Sequence, residues 1–335
     1  MRIGLTGGAS SVDGIVRQVA RAEEEGFSTV WFPGAVAGDP LVALAIAGRA
    51  TDRIELGTSV LQTYTCHPGL MAQRAAAVVA AIGEPGRFTL GIGPSHRPVV
   101  EDVYGLSYDS PGRHTEEYLD VLAPLLRGEP VDRRGAELGF TGGPPALAGG
   151  EPIPILLAAL APRLLRVAGE QAQGTITWMA NAAAIRDHVA PRIAAAASAA
   201  GRPDPRVVAG LPVAVHDDVA EARAVAAEQF AVYATLPNYR RVLAHGGVDG
   251  PGEAAIVGDE ATVAAALHDL VAAGATDVWA APFPGRRRPV GVAPAHAGAA
   301  PRGRHRLSVP HRPRVCRRRR ATAADAGTEG AVRSD

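Results

Sequence analysis

A chain of 335 residues has room for one large domain or two ordinary ones, and with 47% hydrophobic and 20% charged residues it can bury a substantial core. Basic and acidic residues cancel at 34 each, which argues against a nucleic-acid binder built on an overall positive field. The cancellation is uneven, because residues 286–335 hold 13 Arg and three acids and so carry net +10 against net −10 for residues 1–285.

Short β-rich runs alternate with Ala-rich helical stretches. The first run, 2–6, leads into a helix with Val12, Ile15, Val16 and Val19 on one face, closed by Gly26. After run 28–32, Asp39-Pro40 reads as an N-cap followed by Pro at the first helical position. Run 54–61 is followed by His67-Pro68, which opens a third helix ending at Gly83. Run 88–92 precedes a long segment with a helix at 114–127. Runs 153–159 and 175–179 are followed by helices at 162–170 and 182–200. Run 206–215 is followed by helical stretches at 218–235 and 260–273, the second closed by Gly274, and the eighth run is 276–281.

The runs are apolar and rich in Val, Ile and Leu, as strands buried on both faces of a parallel sheet are. Eight of them alternating with helices predict an α/β protein, a (β/α)8 barrel with insertions at 94–152 and 216–258, after strands 4 and 7. An open doubly wound sheet is the rival, disfavoured because no G-x-G-x-x-G follows the first run. Past residue 284 no helical period survives, so the final helix is predicted missing or replaced. Two regions follow: a barrel domain, 1–284, and an Arg/Pro/Ala-rich tail, 285–335, too poor in apolar residues to order and composed like an out-of-frame or otherwise non-native extension.

Cys66 and Cys316 make no disulfide framework, no apolar run has the length of a membrane span, and the first residues enter strand-like sequence without a secretory core. A cytoplasmic protein with neither membrane nor nucleic-acid partner is expected, since the Arg run 317–320 lies in aperiodic sequence. No metal set is expected.

In such a barrel the reacting groups lie where the strands exit. His96 follows strand 4 with no helix start to explain it and is the candidate catalytic group. Asp39 reads first as a cap, and His67 equally as a capping residue or a functional one. Cys66 reads as incidental, with no cation visible beside it to activate a thiol. Trp31, Trp178 and Trp279 end strands 2, 6 and 8 and are either core or pocket wall. The loop 94–110 and the insertion 216–258 are expected to shape a substrate pocket.

Three stretches, GTSVLQTY at 57–64 with His-Pro after it, FTLGIGPSH at 88–96 and LLAALAPRLLRVAGEQAQGTITWM at 156–179, carry a resemblance to the luciferase-like flavin and deazaflavin oxidoreductases, in the branch that uses coenzyme F420. The resemblance runs from about residue 1 to about 284. It implies a non-prolyl cis peptide at Ser59-Val60, in a bulge that props the cofactor ring, with Thr58 and Gly93 beside it. It also implies a turn, Ala159-Leu160-Ala161-Pro162, that approaches the cofactor's phosphate-bearing tail, further cofactor contacts at Asp39 and His67, and a proton-handling role for His96. Relatives usually carry Asp-His after strand 2, Gly at the place of Ala161 and Arg at that of Cys66, and no Lys or Arg set for a sugar phosphate is visible here. The activity implied is hydride transfer between F420 and a small organic substrate. The alternatives are an FMN-dependent monooxygenase and a non-catalytic barrel that acts as a binding protein. The resemblance leaves a homodimer open.

Overall fold

The computed structural model describes residues 1–34 and 38–284; the tail expected at 285–335 and the place of an eighth helix lie outside the described residues. The barrel strands are β1 (Arg2–Thr6), β2 (Thr29–Phe32), β3 (Glu55–Thr58), β4 (Phe88–Gly93), β5 (Ile155–Leu157), β6 (Gly174–Trp178), β7 (Arg206–Val215) and β8 (Asp277–Pro282). Each pairs in parallel with the next, and β8 returns to β1, so the sheet closes on itself. The expected (β/α)8 barrel is the observed fold, with helices Val12–Glu24, Pro40–Arg49, Pro68–Ile82, Pro111–Leu126, Pro162–Gln171, Ala190–Ala199 and Glu260–Ala272 around it.

Proline sets several of the helix starts. Pro40, Pro68, Pro111 and Pro162 each stand in the first helical turn, where a missing N–H costs nothing. Asp39 caps its helix by accepting from Leu41 N at 3.0 Å, and His67 Nδ1 accepts from Gly69 N at 3.2 Å. Ala161 provides no side-chain cap, so the first N–H groups of helix Pro162–Gln171 are left free of one.

Several predicted bounds change for local reasons. The run 54–61 is interrupted after Thr58 by a cis peptide at Ser59-Val60, and resumes as Leu61–Gln62, which pairs with Ile92 and Gly93 of β4. Thr58 bridges the interruption: its Oγ1 donates to Gly91 O at 2.7 Å and accepts from Gly91 N at 2.8 Å. A Cβ on residue 91 would lie 1.8 Å from Thr58 O, so only glycine allows this approach. The run 153–159 is a strand only over Ile155–Leu157, which leaves Ala158 and Ala159 to the exit turn. The helix expected at 182–200 contains a wide turn, Ile185–Val189, where Pro191 supplies no N–H to the helical ladder. The stretch 218–235 divides into Val219–Gln229 and Ala231–Thr235.

The insertions contain elements without a clear signal in the sequence. After β4 come a wide helical turn, Pro98–Val103, and a hairpin, Val131–Arg134 with Gly139–Gly142. After β7 come helix Pro237–His245 and strand Ile256–Gly258, which adds to β7 in parallel.

The two ends of the barrel are built differently. At the N-terminal end Arg206 lies between two carboxylates, with Nη1 2.7 Å from Glu55 Oε1 and Nη2 2.6 Å from Asp277 Oδ1. Arg2 pairs with the same two acids, Thr89 donates to Glu55, and Thr276 donates to Asp277 at 2.7 Å. Burial works against the Arg206 charge, but its hydrogen bonds to Asp277 and Glu55 outweigh it and hold the pKa above the ordinary value. Burial likewise works against the Asp277 carboxylate and is outweighed by Arg206, so its pKa falls. Among the described residues no helix is long and apolar enough to cross a membrane.

Candidate active site

The C-terminal end of the barrel opens into a cavity of about 880 Å³, within the range of small-molecule and cofactor sites. Strand exits form its floor and walls: Ser59 and Val60 after β3, Gly93 at the end of β4 with Pro94 to His96 after it, Ala158, Leu160 and Ala161 after β5, Ile176 to Trp178 in β6 and Trp279 in β8. Both loop segments expected to shape a pocket reach it, 94–110 through Pro94 to Pro98 and Tyr108 to Ser110, and 216–258 through Thr235 to Tyr239 with Arg241.

Of the catalytic and cofactor-binding candidates read from the sequence, Ser59, Val60, Gly93, His96, Leu160 and Ala161 line this cavity. Five do not. Thr58 is buried and occupied with Gly91, and Ala159 is buried with its carbonyl accepting from Thr175 Oγ1 at 3.4 Å. Pro162 stands between two lining residues, Ala161 and Arg163, in the first helical turn. Asp39 and His67, expected as cofactor contacts, are not among the residues that line the cavity. The Asp39 carboxylate is taken up by its cap and by an ion pair with Arg74, and the His67 ring by its cap and by Gly139 O at 3.2 Å. Cys66 also differs from its reading: Arg74 Nη1 lies 3.6 Å from its sulfur, so a cation does adjoin it. The thiol is buried, however, and does not line the cavity.

His96 is held by its backbone, and its ring makes no hydrogen bond to a described residue. Ser95 adopts a left-handed φ of 62°, a conformation uncommon outside glycine, and its carbonyl accepts from the Tyr108 hydroxyl at 2.8 Å. The His96 carbonyl accepts from Val99 N at 3.0 Å and Val100 N at 2.9 Å, which starts the wide turn Pro98–Val103. The imidazole makes no hydrogen bond to any described residue, and burial pushes its pKa down, so it is neutral at neutral pH.

Trp178 and Trp279, stacked with centroids 5.1 Å apart, form apolar wall, whereas Trp31 is buried in the core. In the bulge, the Ser59 hydroxyl is buried without a partner, a group that a ligand would satisfy. Gly93 keeps the floor low, since a Cβ there would meet Ala158 Cβ at 2.9 Å and Val60 Cγ2 at 3.0 Å.

Arginines that sequence reasoning missed line the same cavity. Arg97 donates to Tyr108 O at 3.0 Å and pairs with Glu101, Arg113 lies 3.6 Å from Glu137, and Arg163 pairs with Glu116. Arg241 makes no ion pair to any described residue. Of these, Arg163 was the most legible, because it directly follows Pro162 at a helix start. Apolar walls, an unsatisfied hydroxyl in a bulge, an uncapped helix start and adjacent arginines fit a planar ring with an anionic tail. Among the described residues no three His, Cys, Asp or Glu side chains gather as a metal set.

The sequence profile described as luciferase-like monooxygenase matches residues 1–277. A 5,10-methylenetetrahydromethanopterin reductase of Methanolobus tindarius is 30% identical over 243 residues, which cover 71% of this chain and 72% of that protein. An F420-dependent glucose-6-phosphate dehydrogenase of Microbacterium testaceum is 32% identical over 171 residues, 47% of this chain and 49% of the relative. The solved coenzyme F420-dependent tetrahydromethanopterin reductase of Methanopyrus kandleri shares the fold, with a TM-score of 0.67 and 23% identity over 83% of this chain and 92% of that one. With the barrel closed and a profile that spans most of its length, this chain belongs to the luciferase-like monooxygenase family.

Proposed function

We propose that the protein is an oxidoreductase that moves a hydride between coenzyme F420 and a small organic substrate within this cavity, in the cytoplasm. The observation that carries the reading is the Ser59-Val60 bulge, whose unsatisfied hydroxyl lies in the wall of the cavity that His96 also lines. Relatives described as F420-dependent support the choice of cofactor. When bound, the deazaflavin supplies or takes up the hydride, because it carries carbon where flavin has its reactive nitrogen.

The chain's own residues bind, orient and move a proton. Ser59, Val60 and Gly93 hold the ring. Leu160, Ala161 and the start of helix Pro162–Gln171, with Arg163 beside it, hold the anionic tail through free N–H groups and positive charge. Trp178 and Trp279 exclude water. The neutral His96 imidazole takes a proton from the substrate heteroatom when the hydride leaves carbon, and returns it in the reverse direction.

A second reading, an FMN-dependent monooxygenase, is favoured by the family's own description. Titration of the purified protein with F420, followed by deazaflavin fluorescence, should saturate at one cofactor per chain. Binding of FMN alone, with its two-band visible spectrum, would transfer the site to the second reading. Retention of neither would overturn both and leave a binding barrel.

A further inference from the structure

The insertion after β7 brings a second unpartnered polar side chain to His96. Helix Pro237–His245 places Tyr239 in the cavity wall. Its ring lies 5.5 Å from the His96 ring, centroid to centroid, and is braced edge-on by Tyr233 at 4.8 Å. Tyr233 in turn stands edge-on to Trp178 at 5.8 Å, so Tyr239 is held by an aromatic cluster rather than by hydrogen bonds. Neither the Tyr239 hydroxyl nor the His96 imidazole bonds to any described residue. Both side chains are half-buried in the cavity wall, and their polar atoms remain open to solvent and to a ligand.

We propose that Tyr239 and His96 together hold a single uncharged oxygen of the substrate, that of a carbonyl or its alcohol, with Tyr239 as the obligate donor. This rests on the reading of the cavity as the reaction site and deepens it. The ring centroids lie 5.5 Å apart on one cavity wall, so a single small substrate group can approach both side chains. A carbonyl oxygen has two lone pairs and accepts from the phenol and from an imidazole N–H; an alcohol accepts from the phenol and donates to the imidazole nitrogen. The same two groups thus satisfy both members of the couple. Burial lifts the Tyr239 pKa, with proximity of Tyr233 adding to it, so the phenol remains a donor throughout the working pH range. The choice of an uncharged oxygen follows from the chemistry of the pair, since a phenol and an imidazole carry no fixed charge, unlike the arginines that line the same cavity, Arg97, Arg113, Arg163 and Arg241.

The test uses the full chain and two probes of one shape, cyclohexanone and methylenecyclohexane, which lacks the acceptor oxygen. Tryptophan fluorescence reports their binding, because Trp178 and Trp279 line the cavity. In Tyr239→Phe, which keeps the ring contacts, the ketone-to-alkene affinity ratio should fall about 5–100-fold while alkene affinity and the thermal midpoint hold. An unchanged ratio, or no ketone binding by the unaltered protein, would overturn the proposal. F420 titration of both proteins separates the two readings. A lost ratio without F420 binding leaves the anchor standing and removes the cofactor assignment; F420 binding with an unchanged ratio does the opposite.

Discussion

The two ends of the barrel use polar residues in opposite ways. At the N-terminal end Arg206, Arg2, Glu55 and Asp277 satisfy one another, and Thr89 and Thr276 fill the remaining acceptor positions. At the C-terminal end the Ser59 hydroxyl, the His96 ring, the Tyr239 hydroxyl and the Arg241 guanidinium have no partners among the described residues. On the function proposed above, the same type of group on the same scaffold serves stability where its bonds are internal and recognition where they are left open. Substitutions at the two ends should therefore separate: one set should move turnover without stability, the other stability without turnover.

The largest separation is expected at His96. His96→Ala should lower turnover about 10²–10⁴-fold, the usual contribution of a general acid–base group, with unfolding stability changed by less than about 1 kcal/mol. Steady-state kinetics beside urea denaturation would decide it. An unchanged turnover number would assign His96 to the structural side of the comparison.

Arg206→Met is the converse. It leaves Glu55 and Asp277 adjacent and largely buried, with only the half-exposed Arg2 to compensate them. Breaking a buried pair by removing one partner costs about 3–5 kcal/mol, and here two carboxylates lose the same cation. The midpoint of denaturation should shift accordingly, while cofactor affinity of the folded fraction stays as it was. A shift of less than about 1 kcal/mol would mean that water reaches this end and solvates the acids.

The C-terminal end was the more legible of the two in the sequence. Its floor is made of strand exits, and strands show themselves as short apolar runs such as 88–92. His96 stood out because two glycines and a strand end precede it with no helix to explain it. The bulge at Ser59 was visible only through resemblance, since Thr58 to Val60 alternate no differently from an ordinary strand. Asp39 and His67 show the opposite limit: their positions before Pro pointed to the caps that the structure shows, while neither residue is among those that line the cavity. The N-terminal plug was invisible, because Arg206 meets Glu55 across 151 positions and Asp277 across 71, separations that no periodicity encodes. Tyr239 was invisible for a related reason. Its insertion folds as short pieces, broken at Phe230 and Pro237, too brief to establish a helical period.

The smallest expected effect, acid sensitivity, distinguishes the two ends by the pH at which each responds. Near the cavity, burial lowers the pKa of His96, and burial likewise lowers His114 and His188 against weaker raising contributions from Thr63 and Leu160. The unfolded chain therefore binds more protons than the folded one as pH falls below the ordinary histidine value of about 6.5, and stability declines there. At the plug, the Asp277 pKa is lowered, so its contribution is complete above the ordinary aspartate value of about 3.9 and is lost only as pH falls past it. Urea midpoints measured from pH 8 down to pH 3 should then fall in two stages, a shallow one beginning near pH 6.5 and a steep one near pH 4. His96→Gln should reduce the first stage and leave the second, because Gln carries no proton to bind. A first stage unaltered by that substitution would place the His96 ring in water, and with it the open end of the barrel would lose its neutral proton acceptor.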